Sequence, residues 1–106
     1  MTRVRFYRGR CGRVTGFSVI GHAGQAPAGE DIVCAGISAV AISAVNALES
    51  VAGIKASLHI GEGFLSVRRP KNLPPLKAHD ARVILRTARR GLIDMAATYP
   101  QYMRVT

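Results

Sequence analysis

Acidic residues are scarce in this chain. Six of them face twelve Arg and three Lys, which leaves a formal charge of +9 over 106 residues. That balance suits an anionic neighbour such as RNA or an RNA-protein particle. No aromatic residues interleave with the basic ones to stack on bases, so the Arg-rich segments read either as phosphate contacts or as solvated faces. Cysteine is limited to Cys11 and Cys34, and Met1 to Arg10 contains no apolar leader run, so the expectation is a cytoplasmic protein with reduced thiols. The longest uncharged run, Ile32 to Leu48, covers seventeen residues rich in Ala, Ser and Gly and is interrupted by Asn46. It falls just short of a membrane span and reads as a buried helix of a soluble protein. Cys11, His22, Cys34 and His59 are the conceivable metal ligands, but no two stand at short ligand spacing; no metal or cofactor is expected.

What is present alternates in recognisable periods. Arg3 to Arg8 switches between basic and apolar residues, the period of a half-buried strand, and Gly9 to Gly12 reads as a turn. Arg13 to Gly21, with Val14, Phe17, Val19 and Ile20, is a second strand in a hairpin with the first, and Gly16 marks a bulge site. The stretch Ala23 to Glu30 holds no large apolar side chain to pin it to a core and is expected to be mobile. A helix follows from an N-cap at Asp31 to about Ala52, with Gly53 as its stop. Its apolar residues wrap most of the circumference, so it needs cover on more than one side.

Lys55 to Ile60 and Phe64 to Arg69 flank Gly61-Glu62-Gly63 as a second hairpin. After a Pro-rich crossing, a second helix from about Lys77 to Ala97 aligns Ile84, Ala88, Leu92 and Met95 on one face. No internal repeat or linker divides residues 1–106, so one domain is expected. The order strand, strand, helix, strand, strand, helix gives an α/β (α+β) two-layer sandwich, with both helices on one face of a mainly antiparallel four-stranded sheet. The other sheet face is then free to meet a second subunit, and a homodimer is expected.

With Asp31 as N-cap, Cys34 is the third helical residue, in the field of the unsatisfied first-turn N–H groups. That position favours a thiolate, and the same N–H groups suit the oxyanion formed when a thiolate attacks a carbonyl. His22 ends the preceding strand twelve residues upstream, where the intervening loop can bring imidazole to thiol as a base. Simpler readings stand beside these: Cys34 as inert packing, Asp31 as a cap only, Ser38 as a small residue permitting close approach, and Cys11 as an incidental exposed thiol.

Gly21-His22-Ala23, Gly29, Asp31-Ile32-Val33-Cys34-Ala35-Gly36, Ser38-Ala39-Val40 and Val45-Asn46-Ala47 together resemble the signature of the bacterial ribosomal-processing cysteine protease family. A looser likeness runs through Ile84 to Met95 and Tyr99-Pro100. The resemblance implies a dyad of His22 and Cys34, with a flexible loop between them that closes on substrate through Gly24, Gln25, Pro27, Gly29 and Glu30. It also implies a homodimer. Asp31 and Ser38 match family positions close to the dyad, the first holding the helix start and loop, the second a hydrogen-bond partner for the thiol. The implied activity is a cysteine endopeptidase that removes a short N-terminal extension from a large-subunit ribosomal protein. The competing expectation, from charge, is a non-catalytic Arg-rich protein that contacts the ribosome or rRNA.

Overall fold

The computed structural model describes residues 1–27 and 30–106. Strands β1 (Thr2–Arg8) and β2 (Val14–Ile20) pair antiparallel, with Val4 opposite Val19 and Phe6 opposite Phe17. Thr2, Val4 and Phe6 face inward while Arg3 and Arg5 face solvent, as the two-residue period requires. A short 3-10 turn, Arg10–Gly12, joins them, with Cys11 at φ 63° and Gly12 at φ 73°. The register slips between Tyr7 and Arg8, so the extra residue is Thr15. Gly16, next to it, has a reason of its own: a Cβ there would stand 2.0 Å from the Val67 carbonyl oxygen.

Strands β3 (Ser57–Gly61) and β4 (Phe64–Arg68) form the second hairpin, and β4 pairs antiparallel with β2, placing Val67 beside Phe17 and Leu65 beside Val19. A fifth strand, β5 (Met103–Val105), lies parallel to β1, so the sheet order is β3-β4-β2-β1-β5. The expected four strands are therefore five. Three residues are too few to show a period, and a parallel partner leaves no turn signature.

Helices α1 (Ile32–Ser50) and α2 (Pro75–Thr98) cover one sheet face. Val33, Ile37, Ala41, Ala44 and Leu48 form the buried stripe of α1, and Ala81, Leu85, Ala88 and Leu92 that of α2. The two helices supply each other's second cover, in close contact where Gly36 meets Met95 and Gly91 meets Val40. By length and composition α1 passes the test for a membrane-crossing helix, yet this stripe is packed into the core with Phe17, Val67 and Met103. Beyond the end of α1 the chain reverses at Gly53 (φ 66°), where the Gly53 and Ile54 N–H groups donate back to the Glu49 and Leu48 carbonyls. Helix α2 starts two residues before the expected Lys77, because Pro75 fits the first helical position, where no N–H is needed.

The opposite sheet face differs from the expectation. By the strand register it carries Arg3, Arg5, Arg68 and Arg104, with Arg68 stacked 3.9 Å over the Tyr7 ring and the Tyr7 hydroxyl 2.9 Å from Ser66 Oγ. Burial tends to raise the Tyr7 pKa, but hydrogen bonding to Ser66 and Ser18 and the charges of Arg68 and Arg5 bring it below the usual value. Ile20 and Phe64, both substantially exposed, lie on this face by the same register, so it is basic around Arg3, Arg5 and Arg104 and apolar at its Ile20–Phe64 end, where a wholly apolar face was expected to meet a second subunit.

Candidate active site

Strand β2 delivers His22 to the rim of the sheet. Beyond Ile20 the chain turns at Gly21 (φ 91°), whose N–H donates to the Gly63 carbonyl at 2.8 Å and whose missing Cβ would strike the Met1 carbonyl oxygen. The His22 ring then lies against the β3–β4 turn: its Nε2 is 3.1 Å from where a Gly63 Cβ would stand. Gly63 also has φ 62°, a backbone conformation that favours glycine, and a side chain there would press on the His22 ring.

Helix α1 delivers Cys34. Asp31 is the N-cap: its Oδ1 accepts from the Cys34 backbone N–H at 2.9 Å, and its Oδ2 accepts from the Gln25 N–H at 3.0 Å. The Cys34 hydrogen bond above all, then that of Gln25, holds the Asp31 carboxyl below the usual carboxylate range, although burial opposes it. Cys34 is the third helical residue and is half-buried. Its Sγ accepts a hydrogen bond from the Ala23 backbone N–H at 3.2 Å. The sulfur therefore meets positive partial charge from two sides, the Ala23 N–H and the helix N-terminus.

These contacts revise the expectation of an unpinned loop. Ala23 is buried in the core, and Gln25 is tied by its N–H to the helix cap, so the first part of the stretch is anchored. Gly24 takes φ 75°, Pro27 is exposed, and the Glu30 N–H donates to the Pro27 carbonyl at 3.0 Å. Gly29 lies outside the described residues.

Two cavities meet at His22 and Cys34. One, of about 260 Å³, runs between α1 and the sheet and is mostly apolar, with Val19, Ile37, Ile42, Ile60, Phe64 and Leu65 in its walls. The other, of about 420 Å³, is edged by Gly24, Ala26, Asp31 and Glu62. Ser38 lines both. Among the described residues no hydrogen bond joins Ser38 to Cys34, so its expected bond to the thiol is not made, and none joins His22 to Cys34. Cys11 lies exposed in the β1–β2 turn, and among the described residues no three His, Cys, Asp or Glu side chains gather to hold a metal ion.

The sequence reading missed Ala23, Gly63 and the apolar wall. Ala23 acts through its backbone, which leaves no signal in residue type. Ile60 and Phe64, in contrast, are large apolar residues flanking a tight turn, and both remain substantially exposed.

A half-buried thiol at a helix N-terminus and a histidine on the same two cavities are what a cysteine peptidase needs, and relatives carry the same fold. The chain is 35% identical over 95 residues to ribosomal processing cysteine protease Prp of Bacillus subtilis, covering 88% of this chain and 85% of that protein. Its structure resembles that of the S. aureus ribosomal processing protease Prp with a covalently linked product peptide (TM-score 0.89, 28% identity, 100% of this chain and 98% of that one). It likewise resembles the S. aureus enzyme with a substrate peptide (TM-score 0.84, 27% identity, with the same coverage). The family model of cysteine protease Prp matches residues 1–104, and the chain belongs to that family of hydrolases.

Proposed function

We propose that this protease uses Cys34 as nucleophile and His22 as base to remove a short N-terminal extension from a large-subunit ribosomal protein. The observation that carries the assignment is the placement of Cys34 Sγ between the Ala23 N–H and the start of α1, with His22 on both adjoining cavities. His22 takes the thiol proton, and the sulfur attacks the scissile carbonyl carbon. Collapse of the tetrahedral species passes that proton to the leaving amine and leaves a thioester. Water, deprotonated by His22, then releases the acid and restores the thiol.

The Cys34 N–H is engaged by Asp31, so the oxyanion needs other donors; the Ala23 N–H, held by the sulfur at rest, is released to the neighbouring oxyanion as the thiolate charge is spent in attack. Because imidazole and thiol are not joined by a hydrogen bond here, peptide binding draws them together, and the loop bearing Gly24, Gln25, Pro27 and Glu30 closes over the substrate. Asp31 positions this machinery by holding both the helix start and Gln25. Ser38 borders the peptide in both cavities.

A basic ribosomal substrate suits the site despite the charge of +9. Asp31 and Glu62 edge one cavity, and the screening length at physiological salt, about 8 Å, insulates them from distant Arg residues. The catalytic reading is preferred to a non-catalytic RNA-binding one because charge alone gives no reason for a thiol at this position. RNA contact through Arg-rich faces then accompanies catalysis.

The same reading includes a cytoplasmic, homodimeric protein. Support for the dimer is apolar: Val51 is 75% exposed and Val83 50%, and an apolar groove runs between α1 and α2 along Val40, Ala47, Ile84 and Gly91. The test of function is cleavage of a peptide spanning the extension junction, with mass spectrometry for the thioester. Cleavage by Cys34→Ala at the wild-type rate would exclude the dyad.

A further inference from the structure

The end of the molecule away from the dyad is built differently. Two adjoining clefts flank the β1–β2 turn and share Arg8 and Arg13 in their walls. The larger, about 770 Å³, is completed by Arg82, Arg86, Arg89 and Arg90 of α2. The smaller, about 480 Å³, adds Arg10, Arg68, Arg69 and Lys71. Among the described residues no carboxylate lines either cleft, and Arg90, paired with Asp94 at 2.7 Å, is the only Lys or Arg in a salt bridge.

Three further observations bear on these cationic groups. The Nε of Arg89 is buried and has no hydrogen-bond partner among the described residues, an arrangement that folded proteins avoid unless a ligand or water supplies the acceptor. Arg69 spends its guanidinium on the Pro70 and Lys71 carbonyls, which makes it a rigid wall of the smaller cleft. Burial, and then the charge of Arg13, lower its pKa from the usual value.

We propose that the two clefts together form a docking groove for the phosphate backbone of RNA. The inference builds on the reading that Arg-rich faces contact RNA and fixes where that contact is made. Arg offers planar forked donors that match phosphate oxygens, and here it predominates over Lys. The concave shape suits a strand more than a flat membrane. No aromatic residue lines either cleft, so bases are not stacked and recognition is of backbone, largely independent of sequence. The length of β2, roughly 20 Å, separates this groove from His22, so RNA and peptide can occupy the protein together. Docking on RNA beside the substrate would raise the local concentration of the peptide to be cut.

The experiment measures binding of a fluorescent RNA hairpin to the full chain, with Arg13→Ala/Arg86→Ala compared against Arg3→Ala/Arg5→Ala on the outer sheet face. All four side chains are exposed, and circular dichroism verifies that each variant is folded. With about four phosphates engaged, affinity should fall roughly a hundred-fold between 50 and 200 mM salt. The cleft variant should bind about tenfold more weakly, with a shallower salt slope, while the sheet-face variant stays within about threefold of wild type. Equal losses in both variants would overturn the groove and leave only diffuse attraction, in which RNA contact itself survives. Absence of RNA binding by the wild type would overturn the RNA reading as well. Tighter binding to vesicles containing phosphatidylserine, or displacement of RNA by polyglutamate at equal charge, would overturn RNA as the occupant.

Discussion

The backbone N–H of Ala23 donates to the Sγ of Cys34 across 3.2 Å, joining the residue after His22 to the proposed nucleophile. A substitution that keeps the side chain small but removes the N–H isolates this contact. Ala23→Pro should lower kcat about a hundred-fold, the scale seen when one donor to a reacting oxygen is lost. Ala23→Gly keeps the donor and should retain most activity. Equal loss in both would reassign the effect to packing, since Ala23 is also a core residue.

Thiol labelling gives a second test. Brief treatment with iodoacetamide near neutral pH should modify Cys34 ahead of Cys11, although Cys11 is the more exposed, because only Cys34 has a helix N-terminus and an N–H donor at its sulfur. Peptide mapping reads the result. Preferential labelling of Cys11 would argue against an activated Cys34.

Asp31 couples the site to acid stability. Its folded-state pKa lies below the unfolded value of about 3.9, so its contribution is fully present above that pH and is lost as pH falls through the folded value. Urea titrations of wild type and Asp31→Asn should diverge above about pH 4, with wild type the more stable, and converge in stronger acid. A constant difference at all pH values would mean that the cap contributes through shape and not charge.

Gly63 sets the imidazole. Gly63→Ala would press a methyl group on the His22 ring and force an alanine to φ 62°, a conformation that costs about 1 to 2 kcal/mol. The displaced ring should reduce kcat up to about a hundred-fold with KM little changed, because a catalytic group misplaced by an ångström has that effect. A raised KM at normal kcat would show that Gly63 serves peptide binding instead.

Much of this molecule was legible from its residues, and what escaped did so for physical reasons. The periods of Arg3 to Arg8 and Ile84 to Met95 marked a strand and a helix because each element has one face buried. Asp31 and Cys34 were readable because a cap fixes the third helical residue. The contacts of Ala23 and Gly63 were not, since backbone donors and missing side chains leave no periodic trace. Strand β5 was lost in three residues. Gly16 marks the bulge to within one residue, the extra residue being its neighbour Thr15, but the close approach of the Val67 carbonyl that also demands glycine there has no signal in the sequence.

Glu62 edges the cavity that also holds Asp31, at the opposite end of β2 from the Arg-lined clefts, so a basic peptide entering there would meet local negative charge on a positive protein. Glu62 is exposed in the β3–β4 turn and can be changed without disturbing the core. Glu62→Lys should raise KM several-fold for a peptide carrying Lys or Arg beside the scissile bond, with kcat nearly unchanged, because attraction of the free substrate is altered and the reacting geometry is not. The difference should shrink at 1 M salt, where the screening length falls to about 3 Å. A neutral peptide supplies the control: if its KM rises as much as that of the basic one, Glu62 acts by contact and not by charge, and the acidic edge has no part in selecting a basic substrate.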